Sequence, residues 1–542
     1  MRNTFIVTGL AVIVAACTGS PGALKDPPVV TVTSPARSTV QNGAGMVTVA
    51  GTVAPGKQGT PVQQVMVNGV AATLGMDGSF TAAVQVPEGA TLLKTVATDA
   101  AGSTASDTRS IEAGTLRMPG SMVGNGITAA ISAQAFTAIS GAATALIKQE
   151  NFTKLLAPLQ PMINKGGSCL GAKGYVDSLT ITDANISLVP VQGGLSITAE
   201  IDGLDVNGHA DYHVACIGGS DTFQVTADAV VVSGTLTVTP NGMMGFTTTL
   251  ASPNVSITNL NVTASGLPGA ILDLIDMNGL ISFAVSKGAE MFMGPMVNQM
   301  LGALAGPQKL MLLGKTIDVQ VQASQVSFDT TGGIVALNTM MLIEGSESSP
   351  GYIYTTPGSP VMDPGQGMVL GLSNNLANEA LEELSAIGML NLAMPTASGT
   401  FDTTQMMVTS APMISGDPAD GKLKLVLPDM MATFTSHGTP VGKAAINAQL
   451  ELKVSPSNNG YAVAIQLGTP DISVDTLPDV TNDTSLTNQD LATAVKLALD
   501  SQITSISALL GSIPIPSVAG LQLHDLSIDS DSGYVIVKGT LQ

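Results

Sequence analysis

The feature that most constrains this 542-residue chain is an order of elements that occurs twice. Residues 118–344 read as a long helix, a run of alternating strands, a second helix and a closing strand pair, and residues 368–542 read the same way. The closing pairs match in detail. VQASQVSFDTTGGIVAL ends the first stretch and LQLHDLSIDSDSGYVIV the second, with Val326-Ser327-Phe328-Asp329 answering Leu526-Ser527-Ile528-Asp529 ahead of a glycine-containing turn. A helix and a sheet each have an apolar face to bury, so a duplicated helix-and-sheet unit of α+β class is the economical fold.

The spacing predicts the helices. Met118–Ile163 places Ile127, Ile131, Ala135, Ile139, Ala142 and Leu146 on one helical face, with a break at Asn151–Pro161, and Ala270–Ala305 reads as the helix that follows the strands. The second unit opens in Met368–Met394. There Ser373 is a good N-cap and Gly388 a good stop, and Leu372, Leu376, Ala380, Leu381, Leu384 and Ile387 lie at helical spacing as one buried face. Asn488–Leu510 is its second helix. Between the units, residues 345–367 (GSESSPGYIYTTPGSPVMDPGQG) read as a Pro/Gly linker.

The N-terminal part is different. Residues 1–16 carry Arg2 and then an apolar run too short to span a bilayer, the pattern of an export signal. Val14-Ala15-Ala16-Cys17 resembles the bacterial lipobox, which implies cleavage before Cys17 and its lipidation, with Thr18 in place of Asp directing the protein to the outer membrane, on its periplasmic or its surface-exposed side. Residues 17–28 then form a lipidated tether. From 29 to 114, short alternating strands with hairpin signals at Asn68-Gly69 and Asp77-Gly78 predict a β-sandwich, and VNGVAATLGMDGSFTAAVQVPEGATLLKTVATDAAGSTAS resembles bacterial Ig-like modules, implying a spacer or adhesive unit.

Charge and chemistry narrow the function. With 20 basic against 40 acidic side chains and no Trp, the chain repels a polyanion and has few rings to stack on bases, so nucleic acid is not an expected partner. An exported lipase would be expected to show G-x-S-x-G, which is absent. His209 and His213 alternate along a strand, about 13 Å apart, too far to share a metal, and Asp529, Asp531 and Gly533 make only half of a calcium loop. No catalytic residue, metal or cofactor is expected, and the chain reads as a non-enzyme.

The residues 118–542 resemble the tubular lipid-binding family of bactericidal/permeability-increasing protein, lipopolysaccharide-binding protein and the cholesteryl ester and phospholipid transfer proteins. The likeness is best at GLSNNLANEALEELSAIGMLNL and next best at IPIPSVAGLQLHDLSIDSDSGYVIVKGTL. It implies two pseudo-symmetric helix-wrapped antiparallel barrels, 118–344 and 368–542, joined by a central sheet, with apolar pockets for lipid acyl chains. The family also has one disulfide in its first barrel, which implies Cys169–Cys216, two free thiols being the alternative. Ile127, Ile131 and Ile139, Met291, Met296 and Met300, and Leu376, Leu384 and Ile387 are the expected pocket-lining positions; a plain core is the other reading of the same stripes. Lys148, Lys154, Lys165, Lys173 and Lys287 are nearly all that represents the family's basic first barrel, so capture of lipopolysaccharide by charge is not implied. The expectation is an exported, lipid-anchored protein that holds or transfers phospholipid or another acyl lipid, or else a surface adhesion or scaffold protein without cargo.

Overall fold

A computed structural model describes residues 26–149, 151–242, 245–264, 266–274, 308–312, 315–358, 360–395, 401–416, 422–457, 462–477, 491–493, 495–496, 512–514 and 521–542. Strands dominate these residues, so the α+β expectation narrows to a mostly-β chain with a β domain at its N terminus. The expected signal peptide and Cys17, Met291, Met296 and Met300 lie outside the described residues. The chain divides into two compact units: one comprises the residues up to Ala36 with Met46–Gln85 and Leu93–Thr108, and the other Arg37–Gly45, Val86–Leu92 and Arg109–Gln542.

In the first unit Val29–Ser34, Gly45–Ala54, Ser79–Val86 and Thr73–Leu74 form one sheet, while Val62–Val67 pairs antiparallel with Gly89–Asp99. Alternation drives the packing. Along Ser79–Val86 every second side chain is buried, and Phe80, Ala82 and Val84 share the buried interior of this unit with Val49, Val53 and Val65. Asn68 and Gly69 both have positive φ, the geometry of the tight hairpin turn that their sequence signals.

The second unit carries the duplicated elements. Its first half consists of Val123–Ser132 (β1), Ala135–Ile147 (α1), Leu170–Thr180 (β2), Asp183–Val191 (β3), Gly194–Val214 (β4), Ile217–Pro240 (β5), Phe246–Thr258 (β6), Lys315–Asp329 (β7) and Gly332–Ile343 (β8). Its second half consists of Met368–Ser373 (β9), Asn374–Ala386 (α2), Leu423–Ser436 (β10), Thr439–Pro456 (β11), Leu523–Asp531 (β12) and Tyr534–Leu541 (β13), with shorter strands between. Both halves meet in one antiparallel sheet ordered β7-β8-β1-β9-β13-β12, with Gln308–Leu312 on the β7 edge. That order is symmetric about the β1–β9 seam, where Ile127 to Ile131 pair with Leu372 to Met368. On each side lies the opening strand, then the closing hairpin whose sequences matched.

Two expectations are corrected here. Ile127 and Ile131 lie on strand β1, not on a helix, because their spacing of four also suits the same face of a strand, and the helix begins only at Ala135. Leu372 likewise belongs to β9, which delivers the chain into α2 at Ser373.

Each half has its own sheet besides. In the first, β4 and β5 form a hairpin paired without interruption from Leu204 to Val214, and β2, β3 and β6 extend it. Strands of 21 and 24 residues run roughly 70 to 80 Å. Gly208 lets the strands close up, since a Cβ there would lie 2.2 Å from the Tyr175 carbonyl oxygen and 2.6 Å from the Phe223 ring. α1 is stitched to β3 by hydroxyls: the Leu188 amide donates to Ser140 Oγ (2.9 Å) and the Ile186 amide to Thr144 Oγ1 (2.8 Å). In the second half β10 and β11 pair within a sheet that Thr403–Met407, Met413–Gly416 and Asp471–Thr476 extend. The disulfide Cys169–Cys216 joins the chain entering β2 to the β4–β5 turn.

Candidate functional site

Where the expected lipid-lining residues lie is clear. The inner stripe of the long hairpin, Leu195, Ile197, Ala199, Leu204, Val206 and Ala210 on β4 with Phe223, Val225, Val230, Val232 and Leu236 on β5, is buried in one apolar cluster. Ile131 of β1 and Ile139 of α1 are buried in that cluster, and Ile127 is half-buried against it. A second cluster fills the other half around Met430, Phe434, Ile446 and Leu450. α2 serves both. Leu384 and Ile387 pack into the first cluster and Leu381 into the second, while Leu376 is half-buried over Gly126.

The surprise is the other face of α2. Asn374, Asn375, Asn378, Glu379, Glu382 and Glu383 are all buried, so the helix is held by its polar stripe as much as by its leucines. Asn378 receives a hydrogen bond from the Ile414 amide (2.7 Å) and returns one to the Ile414 carbonyl (3.2 Å), and Asn375 makes the same pair with Thr355 (2.9 Å each). Each side-chain amide thus satisfies both backbone groups of one residue, Ile414 on the strand Met413–Gly416 and Thr355 just after Tyr352–Tyr354. Glu383 accepts from the Ile343 amide and from Ser346 Oγ (3.0 Å), and Glu382 from Ser349 Oγ. The expected linker 345–367 is consequently pinned, with Tyr352 and Ile353 buried and Tyr352–Tyr354 paired to Thr115–Arg117. The ends of α2 follow the sequence: Ser373 Oγ accepts the Asn375 amide, and Gly388 takes φ +74° while its amide and that of Met389 close back onto Ser385 and Leu384.

Beside this face lies a cavity of about 420 Å³. Its inner wall includes Glu112, Tyr352, Asn378, Glu382 and Met413, all buried, and its rim includes Val40, Leu116, Ala386 and Thr409, all exposed. Glu112 is 6% exposed and its Oε1 has no hydrogen-bond partner. Burial, then the charges of Asp429 and Glu382, push its carboxyl up to about 7. Glu379, deeper in, is pushed up to about 9 by burial and by Glu383, although the Met341 and Gly120 amides face it; neither of its oxygens has a hydrogen bond of normal geometry. Burial also raises Glu382 and Glu383. The Tyr352 hydroxyl, with Arg117 nearby, makes no hydrogen bond of normal geometry, and burial raises its pKa further.

Asp429 is the opposite case. It is 1% exposed, and it accepts from Arg37 Nη1 (2.8 Å), the Ser38 amide (2.8 Å), Ser110 Oγ (2.7 Å) and Asn447 Nδ2 (2.9 Å). Burial alone would raise its pKa, but those hydrogen bonds and the Arg37 charge outweigh it and hold the group below the usual carboxylate range.

None of these acidic positions was singled out from sequence. The signal was present as Asn374, Asn375, Asn378, Glu379, Glu382 and Glu383 at helical spacing, a stripe that reads as a solvated face unless something buries it. Among the described residues no three acidic, His or Cys side chains converge as metal ligands, and His209 is paired to Asp177 (2.9 Å). No helix among them is long and apolar enough to cross a membrane.

Residues 28–115 match the family model for glucodextranase, domain B. Comparison with curated proteins gives no match. Among solved structures, the chain is similar to lipopolysaccharide binding protein, at 16% identity and a TM-score of 0.38 over 78% of this chain and 99% of that one. It is similar also to P47 of Clostridium botulinum E1 (10% identity, TM-score 0.29, 78% and 100% covered) and to P47 from Clostridium botulinum A2 (10%, 0.26, 76% and 96%).

Proposed function

We propose that this chain is an exported, lipid-anchored lipid-binding protein that holds acyl chains in the apolar interior of two helix-backed sheets. One observation carries the reading. The β4–β5 inner stripe, Leu195 to Ala210 on β4, is apolar along roughly 50 Å, whereas the 13-residue α1 spans only about 20 Å of it. Each methylene moved from water into such an interior contributes about 0.8 kcal/mol, so a long apolar groove holds an acyl chain without a charged clamp. The chain's excess of acid over base suits that mode of holding better than capture of an anionic headgroup.

Native mass spectrometry of gently purified protein is the test. Co-purified phospholipid is the expected result; a persistently empty protein, equally empty after incubation with vesicles, sinks the reading. Ile197→Trp, which fills the inner stripe, should lower lipid occupancy. Esterase activity on short acyl esters should stay at the buffer rate, as befits a carrier. For the anchor, palmitate should label the natural chain and not Cys17→Ser, and labelling of the variant refutes lipidation at that position.

A further inference from the structure

The cavity beside α2 is lined by none of the residues of the β4–β5 inner stripe. Its lining includes two buried acidic residues, Glu112 and Glu382, and the buried Glu112 Oε1 atom has no hydrogen-bond partner. The cations nearby are engaged. Arg37 pairs with Asp429 and Asp475 (3.4 Å), and Arg117 lies 3.5 Å over the Tyr354 ring and donates to the Met122 carbonyl. A buried carboxylate without donors is costly, and a cationic N–H donor supplies the missing hydrogen bond and the countercharge together.

We propose that this cavity is a binding site for a small primary ammonium group, held between Glu112 and Glu382. A divalent metal does not fit the described residues, which bring no third acidic ligand to the pair. Size and lining agree with an amine on a short carbon chain. A volume of about 420 Å³ falls within the range of small-molecule pockets, and Val40, Leu116, Val408 and Met413 offer an apolar flank beside the acids. The exposed rim gives access from solvent. Glu112 faces Asp429 of β10 and Glu382 of α2, so near pH 7 it is partly protonated, and an ammonium group binding there ionises it. Binding therefore tightens as pH rises through that range.

A free amine and the headgroup of an aminophospholipid share this chemistry. Calorimetric titration of the full chain distinguishes them with three probes: ethanolamine, dihexanoyl phosphatidylethanolamine below its micelle concentration, and tetramethylammonium, a cation without an N–H. The expected result is saturable binding of ethanolamine or of the short lipid, whichever is tighter naming the source, with none of tetramethylammonium. Affinity should rise several-fold from pH 6 to pH 8. Glu112→Gln, or Glu382→Gln if the first fails to fold, should weaken binding by about tenfold, and Ala411→Phe should block the cavity. Absence of saturable heat with both amines at millimolar concentration, equal binding of tetramethylammonium, or unchanged affinity in a folded Gln variant overturns the proposal. The outcome is independent of acyl-chain occupancy, which mass spectrometry reads separately.

Discussion

Two buried carboxylates show how surroundings decide what one functional group does. Asp429 is ionised and accepts from five donors, so Asp429→Ala removes the 2.8 Å partner of the Arg37 charge and should cost roughly 3–5 kcal/mol in urea denaturation at neutral pH. Its lowered pKa fixes the sign of the pH effect. The contribution is complete above the ordinary value of 3.8 and disappears as pH falls through the folded value, so the natural chain and the variant should converge in strong acid. Glu379 behaves in reverse. Its carboxyl holds a proton up to about pH 9, whereas the unfolded chain releases it near 4.5, so stability declines as pH rises between those values. Glu379→Gln mimics the neutral acid and should flatten that decline, gaining roughly 1–3 kcal/mol at pH 8 and little at pH 4.5. Neither residue stood out in the sequence, because an Asp at position 429 and a Glu on a helix carry no local mark of what packs over them. The cysteines did: with three thiols in the chain, the family resemblance implied the Cys169–Cys216 pair, and the structure has that disulfide.

At the scale of the element, α2 inverts the usual expectation for an amphipathic helix. Its start and stop were legible, since Ser373 and Gly388 act through their own backbone and nearest neighbours. Its buried face was legible only in part. Leu384 is buried and Leu381 and Ile387 reach the cores, but the acidic stripe is buried too, by segments 33 or more residues distant whose partners are backbone amides and serines rather than basic residues. Hydrogen bonds from backbone leave no pattern in composition. The consequence is measurable by chemical denaturation. Asn378→Ala orphans both polar groups of Ile414 and should cost about 2–4 kcal/mol, more than the half-buried Leu376→Ala, although a hydrophobicity plot ranks them the other way.

For the molecule as a whole, the repeat was the most legible feature, because both closing hairpins keep a strand-turn-strand pattern of like residues, although Asp329 sits at its turn and Asp529 two residues before its own. What it could not disclose was that both hairpins and both opening strands share one sheet, since pairing across the β1–β9 seam joins residues about 240 apart and has no local signature. Ala129, Ala130 and Leu370, each nearly inaccessible at that seam, should be among the slowest amides in hydrogen-exchange mass spectrometry, with Thr409 and Ser410 at the cavity rim among the fastest. The seam also sets a schedule. β1 emerges early in synthesis, yet neither neighbour exists until residues 332–343 and 368–373 have been made. At about 5–20 residues per second the strand Val123–Ser132 waits on the order of ten seconds or more with both edges open. A newborn chain of this design is therefore exposed to aggregation and to chaperones at β1, and the later hairpin β12–β13 is the one that completes the sheet in which that strand is held.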